Sequence, residues 1–343
     1  MRRPFFPAYF LEVSLTWALV VMPLACGATM LSSAETPDVG QTMVSTITRA
    51  IPFGTFPLPD IGEKEEPEET PLEVEPPAIV PATQTISDKG LRHDVVVKGS
   101  TLTGKSLKKR LRVFQGVVSQ WEATGHSIGV VIVDMGSGAS VSYGADDVFY
   151  AASSVKGPYI ISVYETMVDT GLVSVDEIYG LVEPTIVYSD NDAYRALRDL
   201  CGSQVFADWC VDCGAVEPGS ESYELVLDRY FPSVTTNQLA TMWEHAFLYF
   251  EGGSDGATQL AELFQQREES PIRAGIEDAS LTITKAGWYP EEDGYAEPAT
   301  VDAGLVFEGD HGYVVAIMTD APADLDRLAA LVPAIYTARD TLQ

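Results

Sequence analysis

The chain has 343 residues, 46% of them hydrophobic, enough to bury a sizeable core in one or two domains with an appended tail. Its net charge is −29, and residues 113–343 hold 9 Lys and Arg against 37 Asp and Glu, so the excess belongs to the folded region. Such a surface repels phosphate backbones and excludes nucleic acid as a partner; solubility is reason enough for it.

Arg2 and Arg3 precede an apolar stretch, and Val13 to Ala34 carries no charge. Residues 1–34 read as an export signal or a membrane anchor, since the uncharged run has the length of either. "PLAC" is close to a lipoprotein box, with Pro23 where an aliphatic residue is usual, and "RRPFF" is close to a twin-arginine signal. Each alternative puts the rest of the chain outside the cytoplasm, secreted or held at the cell membrane. Residues 35–103 include "EKEEPEETPLEVEPPAIVP". Charge repulsion and proline stiffness predict an extended, disordered linker there, a spacer through a cell envelope.

The folded domain is predicted over 104–343. "KSLKKRLRVF" opens a basic helix running to about Ala123. "SIGVVIVDM" and "ASVSYG" are strand-like and joined by Gly-Ser-Gly, a hairpin signal. Helical patterns dominate from Ser153 to about Arg267. Three strand runs follow, "LTITKAGW", "TVDAGLVFE" and "GYVVAIMTD", and a last helix starts near Asp324. The pattern predicts an α+β fold: a five-stranded antiparallel sheet covered by helices from both chain ends, beside an all-helical lobe.

Cys201, Cys210 and Cys213 lie within 13 positions, an odd set. Cys201 can pair with either of the others outside the cytoplasm, or all three can be plain buried thiols. His93, His126, His245 and His311 form no metal-ligand pair, so no metal and no cofactor is expected.

The chemistry centres on "YAASSVKGPYIISVY". Ser153 and Lys156 stand at i and i+3, on one helix face. Apolar residues surround Lys156, and a desolvated lysine can give up its proton and take one from a serine hydroxyl. Ser106 and Lys109 share the spacing but lie in a basic, exposed run. After Lys109 the only lysines are Lys156 and Lys285; every other cation there is arginine, which cannot transfer a proton. In "VYSDNDAYRAL", Ser189 can relay a proton, Asp190 can hold the turn and Asn191 can donate to an amide carbonyl. Lys285 lies on a strand, and Gly287 after it permits close backbone approach. "GGSDG" at 252–256 fits a serine-elbow pattern, but no strand precedes it and it reads as a loop.

Ser153-x-x-Lys156, Ser189-Asp190-Asn191 and Lys285-Ala286-Gly287, in this order, resemble the serine β-lactamase and penicillin-binding protein superfamily, in particular class A β-lactamases. The likeness extends from about Gln120 to Arg339. It implies a β-lactamase/transpeptidase-like fold and a β-lactam or D-Ala-D-Ala-type peptide as substrate in the cell envelope. It assigns Ser153 as the acylated nucleophile and Lys156 as its base, directly or through a water. Ser189 passes a proton to the leaving nitrogen, Asn191 holds the substrate amide, and Lys285 attracts the substrate carboxylate. The amides of Ser153 and Trp288 form the oxyanion hole.

Three departures accompany the likeness. Ala286 lacks the hydroxyl that binds the substrate carboxylate, a loss of about ten- to a hundredfold in recognition. The stretch from Ser153 to Ser189 is shorter than in typical class A enzymes. The E-x-x-L-N deacylation motif is missing from "PGSESYELVLDRYFPSVTT", where counting back from Thr235 reaches Glu221, with Glu224 close by. Three functions follow from the resemblance: a β-lactamase, a peptidoglycan D,D-peptidase-like enzyme, or a wall-binding module without turnover.

Overall fold

The computed structural model describes residues 82–342, apart from 267–268, 292–295 and 310. The expected export segment and the part of the linker before residue 82 lie outside the described residues.

Residues 83–86 and 95–98, which fall inside the linker expected over 35–103, are folded as strands. Thr83–Ile86 (β1) and Val95–Lys98 (β2) form an antiparallel hairpin, and β2 pairs with Ser140–Tyr143 (β4), with Val96 opposite Ser142 and Lys98 opposite Ser140. The runs "TQTI" and "VVVK" are mostly β-branched, and Val95 and Val97 are wholly buried. The described fold therefore already includes this hairpin, ahead of the expected start at 104. The basic segment forms two helices, Gly104–Arg110 (α1) and Arg112–Glu122 (α2), broken at Leu111.

The five predicted strands are all present: Ile128–Asp134 (β3), β4, Leu281–Tyr289 (β7), Ala299–Glu308 (β8) and His311–Thr319 (β9). They lie in the order β4-β3-β9-β8-β7, and the hairpin extends the sheet to seven strands with β1 at the outer edge. All pairings within it are antiparallel. Val148–Tyr150 (β5) and Ser233–Thr235 (β6) form a separate two-stranded ribbon, too short to register as alternation in the sequence.

β3 is buried on both faces, and its alternating side chains serve two cores. Val130 and Ile132 pack with Phe114, Val118 and Trp121 of α2 and with Leu328 and Val332 of Leu325–Tyr336 (α11), the C-terminal helix capped at Asp324 as expected. Val131 and Val133 face the helical lobe. That lobe holds Lys156–Val163 (α3), Val175–Val187 (α4), Asn191–Cys201 (α5), Ser203–Asp212 (α6), Glu221–Asp228 (α7), Thr236–Glu251 (α8) and Asp255–Gln265 (α9). Short Pro271–Gly275 (α10) leads into β7. Side-chain caps start several of these helices: Ser174 with Glu177 before α4, and Thr235 with Gln238 before α8, close reciprocal capping boxes. Ser254 of "GGSDG" caps α9, so that motif is a helix start. Cys201, Cys210 and Cys213 are free thiols in the lobe, the first two buried.

α3 runs on into a π-helical turn, Tyr164–Val168, which turns Glu165 toward α6 and α8. Its carboxylate accepts from Trp209 Nε1 at 2.7 Å and lies 3.1 Å from His245 Nε2. Burial alone raises the Glu165 carboxyl, but the bonds from His245 and Trp209 outweigh it and hold the group below its ordinary value of 4.5. The same bond raises His245 above its ordinary 6.5. The Glu165 contribution is present above pH 4.5 and lost as pH falls through its depressed value. The His245 contribution is present below pH 6.5 and lost as pH rises through its raised value. His245→Gln is therefore expected to lower Tm by about 2–4 °C near pH 5.5 and by less at pH 9. Thermal melts across that range check this; a pH-independent gap refutes the pairing.

Candidate active site

β5 ends at Tyr150, and the chain then makes a 3-10 turn, Ala152–Val155, before α3 begins at Lys156. Ala152 has φ +47° and Ser189 has φ +56°, both left-handed and neither glycine. Each such residue costs about 1–3 kcal/mol, which persists only where the surroundings dictate the conformation. The two strained residues flank the two halves of one polar cluster. Ser153 is half-buried in the turn, while Ser154 is buried and donates its hydroxyl to Ala151 O at 2.7 Å. Ser153 is thus the more accessible of the adjacent serines. Ser106 sits exposed on α1.

Every residue of α3 is buried, Lys156 completely. Lys156 Nζ donates to Ser189 O at 2.5 Å, Asn191 Oδ1 at 2.7 Å, Asp190 O at 3.3 Å and Ser189 Oγ at 3.4 Å. The rings of Tyr194 and Phe231 each lie 5.6 Å from it, close enough for cation–π attraction. Lys285, also fully buried, donates to Ser189 Oγ at 2.8 Å and to Ala286 O at 2.9 Å. The Ser189 hydroxyl therefore bridges the two lysines. Asp190 caps α5, its carboxylate accepting from the amides of Asp192 and Ala193 at 2.8 and 2.9 Å. Those bonds, the Ala193 amide foremost, hold the Asp190 carboxyl below its ordinary value.

Two glycines let β7 close on this cluster. A Cβ on Gly157 would meet Lys285 Cβ and a Trp243 ring atom, each at 3.0 Å. A Cβ on Gly287 would lie 2.5 Å from Ser154 N and 2.7 Å from both Ala151 O and Ser153 N. The Gly287 backbone thus runs against the Ser153 turn, and Trp288 follows it, half-buried. This places a strand edge beside the Ser153 amide, the arrangement an oxyanion hole needs. Ala286 is fully buried, and its cross-strand neighbour Asp302 is a buried carboxylate that accepts from the Ser270 hydroxyl at 2.7 Å.

A cleft of about 730 Å³ is walled by Tyr150, Arg195, Asp228, Tyr230, Phe231 and Glu297 among others; Phe231, the ring near Lys156, links it to the cluster, and none of Ser153, Lys156, Ser189, Asn191 and Lys285 lines it. Counting back from Thr235 brings Glu221 to the start of α7. Glu221 is the exposed first residue of α7, Glu224 is exposed one turn on, and neither lines the cleft. Helix α7 turns the cleft side over to its C-terminal end, which residue counting could not show. A carboxylate at a helix start is already explained by the dipole. Asp228 is the α7 carboxylate that does line the cleft. Tyr194 and Phe231, which pack on Lys156, were not anticipated; Tyr194 stands at i+3 from Asn191, a spacing that could have flagged it.

Among the described residues, no group of three or more His, Cys, Asp or Glu could hold a metal ion. His93 instead pairs with Asp147 at 2.8 Å and His126 with Asp320 at 3.3 Å. Among the same residues no helix is long and apolar enough to cross a membrane.

The model of the beta-lactamase enzyme family matches residues 107–183 and 177–337. No curated protein matches the sequence. Among solved structures, a beta-lactamase from Sphaerobacter thermophilus is 23% identical with a TM-score of 0.52, the match covering 67% of this chain and 97% of that one. A beta-lactamase from Chitinophaga pinensis is 17% identical with a TM-score of 0.53, covering 67% and 99%. A mutant of PBP-A, solved as an acyl-enzyme complex with penicillin G, is 19% identical with a TM-score of 0.52, covering 68% and 97%. At these identities the structural likenesses speak to the fold, and the family match spans the whole of the polar cluster.

Proposed function

The chain belongs to the beta-lactamase enzyme family, and from that premise we propose that it is an exported serine hydrolase that opens β-lactams through an acyl-enzyme on Ser153. The observation that carries this reading is the convergence of Lys156 and Lys285 on the Ser189 hydroxyl beside the Ser153 turn. Ser153 Oγ attacks the lactam carbonyl and its proton passes to Lys156 in its neutral amine form, directly or through a water. The carbonyl oxygen, now negative, is received by the amides of Ser153 and Trp288. The C–N bond breaks, and the nitrogen takes its proton by way of the Ser189 hydroxyl, backed by the two lysines. Asn191 and Lys285 hold the substrate amide and carboxylate. Water then cleaves the ester and frees Ser153. The enzyme would work outside the cytoplasm, released or held at the membrane by its first 34 residues, where β-lactams and peptidoglycan are met.

A second reading, a penicillin-binding D,D-peptidase-like enzyme with slow release, is favoured by one observation: Glu221 and Glu224 are both solvent-exposed on α7. Without a positioned base, hydrolysis of the ester is expected to be about 10²–10⁴-fold slower than with one. Intact-protein mass spectrometry with benzylpenicillin, followed over time, tests both. A transient adduct on the Ser153 peptide supports turnover, and a lasting one supports the second reading. No adduct refutes both and leaves a wall-binding module. Glu221→Gln and Glu224→Gln are expected to change adduct lifetime by less than about twofold, as suits solvated side chains.

A further inference from the structure

The cleft wall from Val226 to Phe231 has no regular structure beyond the end of α7, yet it presents Asp228, Arg229, Tyr230 and Phe231 to the cleft. We infer that Arg198 is the positioning residue that clamps this wall against the nucleophile cluster; the inference rests on the acyl-enzyme reading of Ser153.

Arg198 lies on α5, seven residues after Asn191, and is only 2% exposed. Its Nη1 donates to Arg229 O at 2.6 Å and Tyr230 O at 3.4 Å, and its Nη2 to Val226 O at 3.0 Å and Leu227 O at 3.3 Å. The guanidinium carbon sits 5.4 Å from the Tyr159 ring centre and 5.5 Å from that of Tyr230. Tyr194 OH donates to Tyr230 O at 2.8 Å, so a second α5 side chain holds the same stretch.

A helix leaves its last four carbonyls without intrahelical partners, and a buried helix end needs donors for them. Here one cation supplies two of them, Val226 O and Leu227 O, where the α7 dipole also favours positive charge. Capping alone would account for Val226 and Leu227. It does not account for Arg229 and Tyr230, which lie beyond α7 and lead directly to Phe231, the ring over Lys156. Because Asn191 at the start of α5 accepts from Lys156, a single helix fixes both the floor of the cluster and the wall facing it. The planar fork serves four carbonyls with two nitrogens; an ammonium is one point charge with three donors.

The test uses full-length protein carrying Arg198→Met or Arg198→Lys, with hydrogen exchange read by mass spectrometry and acylation by a fluorescent penicillin. Both variants are expected to exchange faster over 226–231 while β3 and β9 keep wild-type protection, with Arg198→Lys the milder. The acylation rate constant should fall by about ten- to a hundredfold in Arg198→Met, since a small misplacement near reacting groups costs that much. The labelled fraction should stay constant, whereas a partly unfolded protein would lose amplitude and keep its rate. Wild-type protection over 226–231 in either folded variant overturns the clamp, as does a wild-type acylation rate in Arg198→Met. Should Arg198→Met not fold, Arg198→Lys carries both criteria. If the wild type takes no penicillin, the function reading has failed, and the exchange measurement still decides the clamp.

Discussion

Lys156→Arg is expected to slow acylation of Ser153 by about 10²–10⁴-fold, nearly as much as Lys156→Ala. Arginine preserves the positive charge and much of the length, so a role for Lys156 as a fixed countercharge predicts a mild effect. A role in proton transfer predicts a severe one, because guanidinium keeps its proton at any ordinary pH. The surroundings bear on both roles. The ammonium is fully buried, with Tyr194 and Phe231 each 5.6 Å away. Burial disfavours the charged form, while the oxygens of Ser189, Asp190 and Asn191 favour it. The proton-transfer role requires Lys156 to meet Ser153 in its neutral form. The measurement is the single-turnover acylation rate with a fluorescent penicillin, with Ser153→Ala as the floor at which no label is retained. A Lys156→Arg protein acylating within threefold of wild type excludes Lys156 as the base.

The parts of this site legible in the sequence are those whose chemistry is local. Ser153 and Lys156 share a turn, Ser189, Asp190 and Asn191 are consecutive, and the five main strands announce themselves through β-branched runs. Elements whose logic is tertiary were not legible. The β1–β2 hairpin is two four-residue strands next to a Pro- and Glu-rich segment, and it gains meaning only by pairing with β4. Glu221 was placed by counting along a loop, and a count does not say which way a helix such as α7 faces. Arg198 binds backbone carbonyls, which have no sequence signature. The strain at Ala152 and Ser189 is equally invisible, since nothing in either residue's type asks for a left-handed backbone. The common thread is that a side chain was foreseen when its partners were near in sequence or matched a known motif.

Gly287→Ala is expected to reduce acylation by about 10²–10³-fold while leaving the fold intact, because the added methyl strikes backbone and not a movable side chain. Its Cβ would stand 2.5 Å from Ser154 N and 2.7 Å from Ala151 O and Ser153 N. Real Cβ atoms do not approach that closely, so either β7 or the turn must retreat. β7 is held along its inner side by β8 from Leu281 to Tyr289. The Ala152 turn is held by the Ala151 amide, which donates to Pro232 O at 3.2 Å, and by the Ser154 hydroxyl, which donates to Ala151 O at 2.7 Å. Whichever yields, the amides of Ser153 and Trp288 separate. Loss of one oxyanion donor costs about 10²–10³-fold in rate. The rest of the sheet has no reason to change, because Gly287 lies near the end of β7, on its free edge. The decisive comparison sets acylation rate against thermal melting. A variant that melts within a few degrees of wild type yet acylates slowly places the oxyanion hole between Ser153 and Trp288. A variant that melts normally and acylates at full rate shows that the strand and the turn tolerate the shift, and that the oxyanion is held elsewhere.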